Sequence, residues 1–205
     1  MRRVCGMALL AALLLVLGGC TGLNVSDMAF TSFNNLTNIT IHLGMKKADV
    51  DKTLSSIKPE ADGSYRYGNL KIRYDANNTV IYLMYAKMGG FSIWHTPMAI
   101  DLNSAWSKVS ASYGLTAHTM GLANDKYDVG HTYNMLFDSK NGFRRVPDPF
   151  DNITTQAQLD AFDGNYGNYD YALVLHFNDR DEISGIEMFK GPINQNDWPP
   201  PAPPT

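Results

Sequence analysis

LKIRYDANNTVIYLMYAK, Leu70 to Lys87, aligns without a gap on LVLHFNDRDEISGIEMFK, Leu173 to Lys190, at an offset of 103 (173 − 70). In the first stretch Leu70, Ile72 and Tyr74 alternate with Lys71 and Arg73; in the second Leu173, Leu175 and Phe177 alternate with Val174 and His176. Successive strand residues point to opposite faces, so each run predicts one buried face and one more polar face. Asp75 to Asn78 and Asn178 to Asp181 supply the turn chemistry that joins each run to the next. Beyond both turns the apolar parity shifts. Ile183 is followed by Ile186 and Met188 with Ser184-Gly185 between, and Val80 by Leu83 and Tyr85, as a β-bulge produces.

Upstream of each hairpin a second correspondence appears. Ile41, Leu43, Val50 and Leu54 match Ile100, Leu102, Val109 and Tyr113 at an offset of 59 (100 − 41). Val50, Leu54 and Ile57 recur at helical spacing, as do Leu102, Trp106, Val109 and Tyr113, with Gly114 as a stop. The expectation is an α+β fold made of two helix-then-antiparallel-hairpin repeats, over residues 39–90 and 91–191. A repeat of about 40 to 60 residues is marginal alone, so the two are expected to pack as one unit.

The second repeat carries an insertion over about residues 115–170. Fifteen residues separate Leu54 from Leu70, whereas 59 separate Tyr113 from Leu173, leaving 44 extra (59 − 15). They read as a hairpin (Tyr133 to Phe137, a turn near Asn141-Gly142, Phe143 to Val146), a short helix from Thr155 to Phe162 with Thr155 and Gln158 as capping box, and a Gly/Asn/Tyr stretch from Gly164 to Tyr171. Long ordered insertions often carry function. Tyr127, Tyr133, Phe143, Arg144, Arg145, Tyr166 and Tyr169 are therefore the candidate partner contacts; the competing reading has these aromatics packing the insertion onto the sheet.

The two ends of the chain are of different character. Arg2 and Arg3, the apolar run Met7 to Leu17 and the small pair Gly18-Gly19 stand in the order of an export signal, with the apolar run too short to span a bilayer. Residues 1–19 read as a signal peptide and residues 20–38, rich in Asn, Ser and Thr, as a flexible tether. Residues 192–205, ending in WPPPAPPT, read as a Pro-rich disordered tail. Cleavage before Cys20 leaves 186 residues (205 − 19), and losing Arg2 and Arg3 takes the net charge from −3 to −5. So mildly acidic a body is a poor partner for nucleic acid, whose phosphates need a basic face.

Chemistry-bearing motifs are sparse. Of the two cysteines, Cys5 falls in the signal and Cys20 at its end, so the exported body has no thiol for a disulfide, a nucleophile or a zinc site. His42, His95, His118, His131 and His176 show no close metal-ligand spacing; His42 and His176 sit in alternating strand-like runs, where solvent-facing histidines are ordinary. His118 and His131, with Asp125 and Asp128 between them, are the one place where metal ligands could gather, and no metal is expected there. Asn178 to Glu182 has the look of a calcium loop but lacks its glycine and spaced terminal Glu, so a hairpin turn explains it. With no phosphate loop and no GxSxG elbow, neither a catalytic residue nor a cofactor is expected.

Leu17-Gly18-Gly19-Cys20 resembles the lipobox of bacterial lipoproteins, which implies cleavage before Cys20 and a diacylglycerol on its thiol, with palmitate among the acyl chains. Ile41-His-Leu-Gly-Met-Lys-Lys-Ala-Asp-Val, followed by a helix and a hairpin with an Asp/Asn turn, resembles the SmpA/BamE-like lipoproteins and the tandem-repeat β-lactamase inhibitor protein fold. Asn103-Ser104 departs from that pattern where the first copy has Gly44-Met45. The likeness implies a helical entry packed on an antiparallel sheet and work done by contacting other proteins. The expected function is thus a membrane-anchored, non-catalytic envelope lipoprotein, a protein-interaction or inhibitor-like module; the alternative is a binder of a small envelope glycan or lipid between the repeats. Because Thr21 rather than Asp follows Cys20, analogy sends it to the outer membrane, facing the periplasm, in a diderm host. In a monoderm host it would sit on the outer face of the cytoplasmic membrane.

Overall fold

The computed structural model describes residues 25–34, 37–54, 57–87, 94–115, 132–139, 144–146, 157 and 169–191. A 3-10 turn, Val25–Asp27, precedes β1 (Ala29–Asn34) and β2 (Thr37–His42); α1 (Lys47–Thr53) comes next, then β3 (Lys58–Pro59), β4 (Tyr65–Tyr67), β5 (Leu70–Tyr74) and β6 (Val80–Ala86). After β7 (Trp94–His95) come α2 (Trp106–Tyr113), β8 (Thr132–Asp138), β9 (Arg144–Val146), β10 (Tyr171–Phe177) and β11 (Ile183–Lys190). The strands form an antiparallel sheet in the order β3-β4-β5-β6-β11-β10-β8-β9 and a small one in the order β2-β1-β7.

This architecture corrects the α+β expectation: the described chain is mostly β and is not built as helix-then-hairpin repeats. The helices have only 7 and 8 residues. Leu54, assigned to the first by spacing, is its extended C-cap at φ −113 and ψ 107, and Ile57 lies beyond it. Leu102 precedes the second helix and is followed by Asn103 at φ 69, outside any right-handed helix. Apolar residues at helical spacing here continue through extended chain. Nor do the hairpins stand as separate units, because β6 and β11 pair directly, from Gly185↔Ala86 to Phe189↔Tyr82. The insertion adds to that same sheet: β8 pairs with β10, and β9 with β8.

The tether expectation is corrected as well. Within residues 20–38, Ala29–Asn34 forms the middle strand of the small sheet, and Met28, Ala29, Phe30 and Ser32 are buried. The expected signal peptide, the Thr155–Phe162 helix other than Ala157 and the Pro-rich tail lie outside the described residues.

The two hairpins share a local device. Asp75 Oδ1 accepts from the backbone N–H groups of Asn77 and Thr79, both at 2.9 Å, and Asn178 Oδ1 from those of Arg180 at 2.9 Å and Glu182 at 3.0 Å. Asn78 and Asp181 close the turns at φ 55 and 56, a left-handed conformation that short polar side chains tolerate. The chain leading into each helix also bonds to the hairpin in the same way, Gly44 N–H to Val80 O and Asn103 N–H to Ile183 O, each at 2.8 Å. Bulges fall where the parity shift places them: Ile81 is passed over between Arg73↔Tyr82 and Tyr74↔Val80, Ser184 between His176↔Gly185 and Phe177↔Ile183.

One face of the large sheet closes the main core. Leu70, Ile72, Leu83, Tyr85, Ile186, Met188, Leu173, Leu175 and Met135 lie on it, covered by Phe30, Ile41 and Leu43 from the small sheet region and by Val50 and Val109 from the helices. Phe30 meets Tyr85 edge to face at 5.6 Å. Each such side chain contributes about 1.5–3 kcal/mol when fully buried. The opposite face carries a smaller apolar cluster of Tyr82, Leu136, Tyr169, Ala172, Val174 and Phe189. Beside that cluster lie the polar residues of greatest interest.

Candidate functional site

Strand alternation sends Lys71 and Arg73 of β5 to the face opposite Leu70 and Ile72. There they meet the tight turn between β3 and β4, where Gly63 at φ 77 lets the chain reverse and Glu60 N–H bonds to Ser64 O at 2.8 Å. The turn aims two acids at the strand. Lys71 Nζ lies 3.2 Å from Glu60 Oε2 and 2.8 Å from Asp62 Oδ2, Arg66 Nε 2.9 Å from Glu60 Oε1, and Arg73 Nη2 3.5 Å from Asp62 Oδ2. Burial pushes the Asp62 carboxyl up, but hydrogen bonds from Lys71 and Ser64 and the charge of Lys71 outweigh it, so the group sits well below the usual carboxylate range. The row alternates in sign and stays partly open to solvent: 44% for Arg66, 20% for Lys71 and 24% for Arg73.

Farther across the same face is a buried acid. Glu187, 6% exposed, accepts from Tyr82 Oη at 2.7 Å on one oxygen and faces His176 Nε2 at 2.6 Å on the other. His176 Nδ1 in turn is 3.3 Å from Thr132 Oγ1. For Nε2 to donate to Glu187, a neutral ring accepts at Nδ1 from the Thr132 hydroxyl, whereas an imidazolium donates from both nitrogens. Space for the ring comes from small neighbours. Gly185 pairs with both His176 and Ala86, and a Cβ at Gly185 would come within 3.4 Å of His176 Cδ2. Burial acts to raise the Glu187 carboxyl, yet the hydrogen bond and charge of His176, the Tyr82 hydroxyl and the charge of Lys71 hold it below the ordinary carboxylate range. The Tyr82 phenol moves the other way, upward, through burial and then the charge of Glu187. A charged carboxylate with both oxygens taken therefore ties β6, β11 and β10 together, and Thr132 extends the chain to β8.

Of the partner contacts singled out from sequence, Tyr133, Arg144, Arg145 and Tyr169 are among the described residues. Tyr133 is buried in the main core, its ring 5.9 Å from Trp106. Tyr169 is buried in the opposite cluster, 6.5 Å from Phe189. Arg144 and Arg145 stand on β9, paired with Asp138 and Phe137. Cys20, Tyr127, Phe143 and Tyr166 lie outside the described residues, as do His118 and His131. His42 and His95 each place Nδ1 2.8 Å from the carbonyl of the next residue. Sequence reasoning missed Tyr82 and Glu187, although a signal existed: following the parity shift through both hairpins puts them on the polar face, and Glu187 interrupts an otherwise apolar strand.

Among the described residues no group of three His, Cys, Asp or Glu side chains is placed to hold a metal ion, and no helix is long and apolar enough to cross a membrane. Comparison with family models, with curated proteins and with solved structures found no match.

Proposed function

We propose that this protein is a membrane-anchored, non-catalytic cell-envelope lipoprotein, acylated at Cys20, that works by contacting another protein through the charged face of its large sheet. In a diderm host the anchor is the outer membrane and the body faces the periplasm; in a monoderm host the body stands on the outer face of the cytoplasmic membrane. The observation that carries the contact is the row Arg66, Glu60, Lys71, Asp62, Arg73, fixed by mutual ion pairs and presented on strands and a tight turn. Surface pairs of this kind add little stability, about 0–1 kcal/mol each. Their value lies in specificity, since a partner must offer the complementary order of charges. A protein surface can supply such an extended order. That both Glu187 oxygens are already bonded within the sheet favours a structural role for that acid over proton transfer.

The experiment is photocrosslinking in the native host from a photoreactive residue in place of Lys58, which is exposed and pairs with Arg66. A single reproducible protein adduct that disappears with Arg66→Glu is the expected result. Adducts indifferent to Arg66→Glu, or none at all with a glycan or lipid co-purifying, would overturn the reading in favour of a small envelope ligand.

A further inference from the structure

The start of the folded body lies close in sequence to the proposed lipid site. Seven residues, 21–27, separate Cys20 from buried Met28. Eight Cα steps span at most about 29 Å when fully extended. The real reach is shorter, because Val25–Asp27 are wound in a 3-10 turn that rises only about 2 Å per residue. That is comparable to one strand of the large sheet, whose seven-residue members are about 23 Å long.

Where the tether meets the fold is set by a continuous set of bonds. Leu43 N–H donates to Met28 O at 3.0 Å, Gly44 N–H to Val80 O at 2.8 Å, and Lys47 N–H to Asn78 O at 2.8 Å. Met28 thus shares one end of the sheet with the 75–78 turn. The 178–181 turn lies at the other end, because β6 and β11 run antiparallel and each hairpin turn precedes its second strand. At the tethered end, Val25 is 36% exposed, the exposed large hydrophobic among the described residues. An apolar side chain five positions from an acylated Cys suits the boundary between headgroups and acyl chains.

We infer that the anchor holds the end of the fold bearing Val25, Met28 and the 75–78 turn against the lipid headgroups and points the 178–181 turn away from the membrane. The inference rests on acylation of Cys20. The occupant of this end is the headgroup layer of the bilayer that holds the lipid.

Asn77 and Arg180 are exposed residues of the two turns. With Cys5 in the signal and Cys20 acylated, Asn77→Cys or Arg180→Cys would carry the free thiol of the processed chain. Acylated full-length protein bearing a donor dye at either position is reconstituted into phosphatidylethanolamine and phosphatidylglycerol vesicles containing an acceptor-labelled headgroup. Energy transfer should be several-fold stronger from position 77 than from position 180. Inserting a flexible ten-residue Gly/Ser segment between Thr21 and Gly22 should shrink that difference. Equal transfer from vesicle-bound protein, or stronger transfer from position 180, would overturn the orientation and leave acylation standing. Protein that does not float with the vesicles would overturn acylation, and the orientation with it.

Discussion

Glu187 is the residue on which the polar face turns. Removing its carboxylate with Glu187→Ala leaves the Tyr82 hydroxyl and the His176 imidazole without their acceptor, and a buried donor left unsatisfied costs about 1–3 kcal/mol. Urea unfolding should show that loss, and Tyr82→Phe, which removes a hydrogen bond to a charged group, about 1.5–3 kcal/mol. Acid sensitivity arises from the same group. The folded-state pKa of Glu187 lies below its unfolded value of 4.5, and that of Asp62 below 3.8. Such depressed groups contribute stability that is present above the unfolded pKa and is lost as pH falls through the folded one. Stability should thus hold from neutral pH to about 5 and decline below it. Glu187→Gln should make that decline shallower; a decline as steep as the parent's would show that the acid does not couple to folding. The sequence announced Glu187 only as an acid in an apolar strand. Its partners Tyr82 and His176 lie on two other strands, and no local pattern states which strands become neighbours.

At the scale of elements, short-range chemistry was the legible part. Both hairpin turns and both bulges could be read because their signals lie within a few residues, in Asp75, Asn178 and the shift of apolar parity. Asp75→Ala and Asn178→Ala each remove an acceptor used by two backbone N–H groups, and each should lower stability by about 1 kcal/mol in urea unfolding. Gly44→Ala places a Cβ on a residue at φ 84 and should cost about 1–2 kcal/mol, although open space surrounds the site. What misled was periodicity without length. Val50, Leu54 and Ile57 fit helical spacing, but α1 ends at Thr53, and Lys58–Pro59 already pair in the large sheet. β1 hid behind its composition: Thr31 and Ser32 look like linker residues until pairing with Thr40 and Ile39 gives the strand one covered face.

For the whole molecule, the direct pairing of β6 with β11 has a thermodynamic consequence. The strands of both hairpins share one core, which Phe30, Ile41, Val50 and Val109 cover from outside the large sheet. Calorimetry should record one cooperative transition; two separable transitions would contradict a shared core. If Cys20 is acylated as proposed, the short link from Cys20 to Met28 also sets the working distance, and a partner that meets the row from Glu60 to Arg73 would meet it near the bilayer. That placement depends on the anchor. Growth of the native host with labelled palmitate, followed by recovery of the protein and of its Cys20→Ser variant, tests it most directly. Label and membrane association are expected in the parent chain and neither in the variant; an unlabelled parent, or a variant that stays with the membrane, would contradict acylation at Cys20.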